Sequence, residues 1–254
     1  MRPLHLLIAA LAIVPLTPPA QAQIAAKPDS GTLIIYDGSM PIANERYLIQ
    51  TIGDSLVVSA THHRELLDEQ GQQHVFTKNM LLVVDSRDLG LLHYNSVQEF
   101  QGHTARRRLE FTDTVLTYFH DIDKSGQSDF LGTPPGRLFV LDSQMFTLFD
   151  VLCRSLASKQ FTSRRVQLLA LFPDSLDMPV ATITLARPDT LRSGARRTVA
   201  RHYQLEDANA RYELWADASG RMLRMTHPMS GLSVELLAEE SKSVRPRRRA
   251  PARR

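Results

Sequence analysis

A single cysteine, Cys153, stands in a chain of 254 residues, so no disulfide framework can staple the fold. The usual catalytic signatures are missing as well. There is no G-x-S-x-G, no P-loop, no G-x-G-x-x-G, no C-x-x-C and no H-E-x-x-H, which lowers the prior for an enzyme without excluding one. No repeat of fixed period is visible. The apolar run Leu4 to Leu16 offers 13 positions, too few for a helical membrane span, which needs roughly 20. What is present is ordinary for a globular chain: 43% hydrophobic and 22% charged residues, with 12 Gly and 14 Pro. That composition excludes disorder throughout, collagen and a polytopic membrane protein. The length allows one large domain or two small ones.

The first 22 residues read as a signal peptide. Arg2 supplies a positive n-region, Leu4 to Leu16 the apolar core, and Ala20-Gln21-Ala22 a small-x-small cleavage site. Pro15, Pro18 and Pro19 break the run and argue against an uncleaved anchor. No cysteine follows it to accept a lipid. The expectation is a soluble mature chain, periplasmic or secreted, with no transmembrane span. Cys153, inside Phe146-Thr-Leu-Phe-Asp-Val-Leu-Cys153, then reads as a small buried hydrophobe and not as a nucleophile.

Strand-like segments dominate the rest. Thr32 to Tyr36 ends in Asp37-Gly38, a hairpin signal. Arg46 to Ile52, Ser55 to His63, Gln73 to Asp85, Leu91 to Phe100, Arg107 to Phe111 and Thr114 to His120 follow, with turn signals at the spacing of an antiparallel meander. Asp121 to Pro135 reads as a polar loop, and Arg137 to Leu141 as a short strand. From Asp142 or Ser143, either of which can cap it, a helix is predicted to about Ser158. Met145, Leu148, Phe149, Leu152 and Leu156 line one of its faces. Arg165 to Phe172, Val180 to Ala186, Thr198 to Leu205, Tyr212 to Ala216, Arg221 to Thr226 and Leu232 to Leu237 read as strands. Asp217-Ala-Ser-Gly220 is a strong hairpin turn between two of them, with Gly220 able to take a positive φ. Pairs such as Leu56-Val57, Val115-Leu116 and Leu168-Leu169 make several strands apolar on both faces. The sheet therefore curls around the helix, stacks on a second sheet or lines an apolar cavity.

The formal charge of +3 is unevenly placed. Lys242 to Arg254 holds seven basic residues, no acid and two prolines, and is expected to be disordered. Without that tail and Arg2, residues 23–241 carry 22 basic side chains against 27 acidic ones, a net of −5. A mildly acidic domain with a basic tail speaks against nucleic acid as partner, and points to anionic envelope surfaces for the tail.

Other motifs are weaker. Asp121-Ile-Asp123-Lys-Ser125-Gly126-Gln-Ser-Asp129 resembles the start of a calcium loop, but Gly132 stands where a bidentate Glu is needed, so it reads as a polar turn. His62 and His63 are adjacent and point to opposite faces of a strand. His120 and Ile122 are expected on one face, with Asp121 and Asp123 on the other. Arg106-Arg107-Arg108 and Arg196-Arg197 read as solvated runs, and Trp215 as core. Nothing calls for a cofactor or a metal.

The hairpin Tyr36-Asp-Gly-Ser-Met-Pro-Ile-Ala-Asn-Glu45-Arg-Tyr47 resembles the first hairpin of a family of uncharacterised exported bacterial proteins. Tyr212-Glu-Leu-Trp215-Ala-Asp217-Ala-Ser-Gly220-Arg-Met-Leu223 is similar to their closing one. The resemblance covers most of residues 31–237 and implies the curved half-barrel of lipoprotein-carrier proteins, which hold acyl chains on a concave apolar face. The expected fold is mainly β: a curved antiparallel sheet, or half-barrel, with one central amphipathic helix, forming one domain over residues 23–241. The leading expectation for function is a non-catalytic protein that binds a lipid-like hydrophobic ligand or an envelope partner. Tyr47, Val58, Phe119, Phe146 and Leu168 are the candidate ligand-binding residues. The rivals are an exported hydrolase built on His120 and its neighbouring Asp residues, and a structural module with a filled core.

Overall fold

The structure, a computed structural model, describes residues 28–111, 115–132, 137–157, 159–172, 175–193 and 196–237. The signal peptide 1–22 and the basic tail 242–254 expected from the sequence lie outside these residues. Eight strands come first: β1 (Asp29–Asp37), β2 (Met40–Ile52), β3 (Ser55–Leu67), β4 (Gln73–Asp85), β5 (Leu91–Phe100), β6 (His103–Phe111), β7 (Val115–Ile122) and β8 (Ser125–Gly132). Strand β9 (Leu138–Asp142) leads into the helix α1 (Thr147–Ala157). Then follow β10 (Ser163–Leu171), β11 (Leu176–Asp177), β12 (Val180–Leu185) and β13 (Asp189–Ser193). The last four are β14 (Arg196–Glu206), β15 (Arg211–Ala216), β16 (Met222–His227) and β17 (Leu232–Leu236).

Strands β1 to β8 form an antiparallel meander. On its other side β1 pairs with β17, and the sheet runs back through β16, β15, β14, β12 and β10 to β9. The mainly β, curved sheet with one helix is as the sequence indicates. It is not wholly antiparallel: β9 lies parallel to β10, with Leu138 opposite Gln167 and Asp142 opposite Leu171. The helix is the crossover that a parallel pair requires.

Nine of the eleven residues of α1 are buried, so the sheet wraps the helix and does not merely carry it. Leu148, Leu152 and Leu156 join a core of inner-face residues that alternate along each strand, as Met80, Leu82 and Val84 do on β4. Cys153 is fully buried in this core, and burial pushes its thiol well above the ordinary range. That fits the structural reading of the lone cysteine.

Neither Asp142 nor Ser143 caps the helix. Glu45 of β2, fully buried, accepts hydrogen bonds from the backbone N–H of Phe146 at 2.8 Å and of Thr147 at 2.7 Å, and from Thr147 Oγ1 at 2.5 Å. A carboxylate at this end satisfies orphan donors and complements the helix dipole. At the other end the Arg201 guanidinium donates to the Ala157 carbonyl.

The segment Asp121 to Gly132 is no loop. Asp123 and Lys124, both with positive φ, make a tight turn, and Ser125 to Gly132 form β8 in register with β7. This geometry leaves no calcium loop, and no group of three or more potential metal ligands occurs among the described residues. Gly220 takes φ +88° in the Asp217–Gly220 turn, as its place in the sequence suggests.

Candidate functional site

Asp142 is the centre of a buried polar cluster at the seam of the half-barrel. It ends β9, which comes to the inner face of β5. Lys78 of β4 approaches its Oδ1 at 2.6 Å and also donates to the Ser143 carbonyl at 2.7 Å. Arg107 of β6 reaches the same oxygen at 3.1 Å. Tyr94 and Ser96 of β5 donate to Oδ2, Ser96 at 3.1 Å. Burial holds the Lys78 ammonium below its ordinary range, opposed by the charge and hydrogen bond of Asp142. Burial and the Asp142 charge together push Tyr94 far up. The seam is thus joined by side chains where, among the described residues, no backbone ladder runs.

A second buried network ties α1 to the strands. Asp150 accepts from Met222 N at 2.5 Å and from Arg154 Nε at 2.6 Å, and Arg154 also pairs with Asp29. Burial raises the Asp150 carboxyl, and Arg154 opposes that rise.

Beyond the seam the concave face carries hollows among the described residues. Two adjoining hollows of about 210 Å³ and 400 Å³ share His120 and Ile122 on the inner face of β7. Gln98 and Phe100 of β5, and Ala105 and Arg107 of β6, line the first. Gln127 of β8 lines the second. Phe100 lies 6.2 Å from Phe76, which lies 5.9 Å from His62, itself 6.0 Å from Phe146. A file of rings therefore runs from the groove to the start of the helix. The floor is apolar at Phe100, Ala105 and Ile122, and polar at Arg107, His120 and Gln127.

The candidate residues fall in two places. Tyr47, Val58 and Leu168 are buried in the core, and Phe146 packs half-buried against it. Tyr47 accepts a hydrogen bond from Arg221 Nε at 3.0 Å, and burial pushes its phenol up to about 12. Phe119 is on the outer face of β7, with the Arg108 guanidinium 4.2 Å from its ring centre. Of the five, Phe146 alone joins the ring file that leads to the groove.

Arg107 corrects the reading of the arginine run: it is 3% exposed and belongs to the seam, while Arg106 and Arg108 are exposed on the other face. The two-residue rhythm of Ala105, Arg107 and Leu109 was the available signal. Trp215 is half-buried outside the core, stacked on His202 at 4.6 Å between ring centres. His62 is buried and His63 faces outward, as adjacent strand positions require. His120 faces the groove, Asp121 is on the opposite face, and Asp123 is held in the turn by His103 at 2.5 Å.

These features define a half-barrel of mixed sheet, wrapped on one helix and closed along one seam by buried ions. No protein-family model matches the sequence, and no curated protein matches it. In fold the chain is similar to a β-barrel-like protein of the domain of unknown function DUF1849 from Brucella abortus. The TM-score is 0.53 at 11% identity, over 83% of this chain and 95% of that one. A DUF1089 family protein from Pseudomonas aeruginosa gives a TM-score of 0.44 at 13% identity, over 73% and 90% of the two chains.

Proposed function

We propose that the protein is an exported, non-catalytic binding protein of the periplasm or the extracellular space, and that the groove over β5 to β8 holds an amphiphilic, lipid-like ligand. The observation that carries this reading is the division of the concave face. The helix and core fill it up to the seam, and beyond the seam an apolar floor lies beside Arg107, His120 and Gln127. The ligand's apolar body would lie along Phe100, Ala105 and Ile122, and its polar head toward Arg107 and His120. Apolar pockets with a few placed polar groups are the usual form of small-ligand sites. Export rests on the N-terminal segment of the sequence.

A hydrolase has less support. His120 and Asp121 point to opposite faces, so the first cannot be oriented by the second, and Cys153 is enclosed with its thiol held protonated. Native mass spectrometry of protein purified from its own host tests the proposal. A reproducible lipid adduct that is lost on Ile122→Asp is expected, and a clean apo mass would argue against it.

A further inference from the structure

Among the described residues strand β8 pairs with β7 alone and so forms an edge of the sheet. Its eight residues, Ser125-Gly-Gln-Ser-Asp-Phe-Leu-Gly132, contain no Lys, Arg or Pro, and Asp129 is the one charge with which this edge could discourage further pairing. Gly126, Ser128 and Phe130 face outward with their cross-strand partners Asp121, Phe119 and Thr117. Phe130 is 74% exposed, a large aromatic surface that nothing among the described residues covers. Beside it lies a hollow of about 540 Å³ lined mostly by outward residues such as Arg106, Phe119 and Ser128, and also by Arg107, His120 and Gln127 of the inner set. A Cβ placed on Gly126 would meet nothing closer than 3.8 Å, so there is room above this glycine.

We infer that β8 pairs antiparallel with β8 of a second copy of the chain, on a two-fold axis at Ser128. A two-fold axis perpendicular to the sheet keeps outer face against outer face, so outward residues oppose outward residues. With Ser128 opposite its own copy, Phe130 of each chain falls opposite Gly126 of the other and covers the hollow there. Aromatic residues across from glycine are a known way to pin strand register. On the inner face Gln127 opposes Asp129, so an amide can donate to a carboxylate twice over. Moving the axis to Asp129 would oppose two like charges, which is destabilising. Moving it to Gln127 would pull Phe130 away from glycine. The edge thus complements itself in one register, which selects a second copy over an unrelated strand. The edge that forms this contact adjoins the groove proposed for a ligand, and Gly126 and Gln127 border both.

The experiment uses the full chain purified from its own host, with molar mass measured by light scattering from about 1 to 200 μM. A dimer is expected within that range. Phe130→Ser should raise its dissociation constant on the order of tenfold, because each dimer loses two aromatic cross-strand contacts. The register is tested in a Cys153→Ser background. Opposed strand residues have Cα atoms roughly 4.5–5.5 Å apart, within disulfide reach, so Ser128→Cys should give a covalent dimer on oxidation and Gly132→Cys should not. A monomeric mass across the whole range, or crosslinking at Gly132→Cys and not at Ser128→Cys, overturns the inference. An unchanged circular dichroism spectrum for each variant separates lost pairing from lost fold.

Discussion

Lys78 and Asp142 meet at 2.6 Å with both side chains fully buried, although 64 residues separate them in the chain. The carboxylate also serves Arg107, Tyr94 and Ser96, so its removal takes away an anion that two buried cations share. Breaking a buried pair by removing one partner typically costs about 3–5 kcal/mol. Asp142→Ala should therefore lower the unfolding free energy by about that amount, read from urea denaturation. Lys78→Met should cost less, because Arg107 still accompanies the carboxylate; equal losses would show that the two cations do not share it.

Glu45 holds the first turn of α1 from a strand about 100 residues away, with Phe146 and Thr147 as its donors. Glu45→Ala leaves those buried groups unpaired, at about 1–3 kcal/mol for each. Glu45→Gln keeps one acceptor oxygen and should cost less. The check is thermal unfolding followed at 222 nm; identical midpoints for the two variants would contradict this account of the helix start.

Gly220 combines φ +88° with contact to the helix: an added Cβ would lie 2.7 Å from both Arg154 Cα and Ala157 Cβ. Gly220→Ala should destabilise by about 2–5 kcal/mol, from the left-handed conformation together with overpacking. Gly38→Ala, at φ +57° with open space around it, should suffer the backbone cost alone, about 1–2 kcal/mol. Denaturation midpoints of the two variants measure the difference.

Five tyrosines, Tyr47, Tyr94, Tyr118, Tyr203 and Tyr212, have phenols raised chiefly by burial. Tyr47 rises from 10.0 to about 12. The folded chain then holds these protons more tightly than the unfolded chain does. Their contribution to stability is intact below about pH 10 and falls as pH rises from there through the folded values. Phenolate absorbance at 295 nm should lag for these five and appear together with loss of the circular dichroism signal. Full ionisation near pH 10 in a folded chain would refute their burial.

The seven basic residues of 242–254 are proposed to give a weak, salt-sensitive attraction to anionic envelope surfaces. A chain ending at Ser241 should lose low-salt binding to phosphatidylglycerol vesicles that the full chain retains. Undiminished binding by the shortened chain would assign the attraction elsewhere.

Much of the fold is legible in the sequence wherever local pattern and tertiary burial agree. Gln73–Asp85 and Leu91–Phe100 are β4 and β5 to the residue, because polar turns bound apolar alternation on both sides. Strand β8 is not legible, since Ser, Gly, Gln and Asp in SGQSDFLG carry no strand preference and register with β7 holds them extended. Asp142 looks like a helix cap in sequence; that it turns inward to Lys78 depends on a strand 64 residues earlier. Arg107 hides in a run of three arginines, and only the fold separates it from its neighbours. The groove is hidden for the same reason: residues from four strands line it, and no short motif unites them.

Strand β1 lies between β2 and β17, and Leu237 N–H bonds to the Thr32 carbonyl, so the two ends of the described chain leave the sheet side by side. Among the described residues no ladder joins β8 to β9, which follow each other in sequence, and the break in the sheet falls there. Linking Leu237 to Pro28 and opening the chain between those strands would yield a circular permutant whose main strands enter the sheet in spatial order, from β9 round to β8. In that sense β1, the first described strand in sequence, lies partway along the spatial order of the sheet.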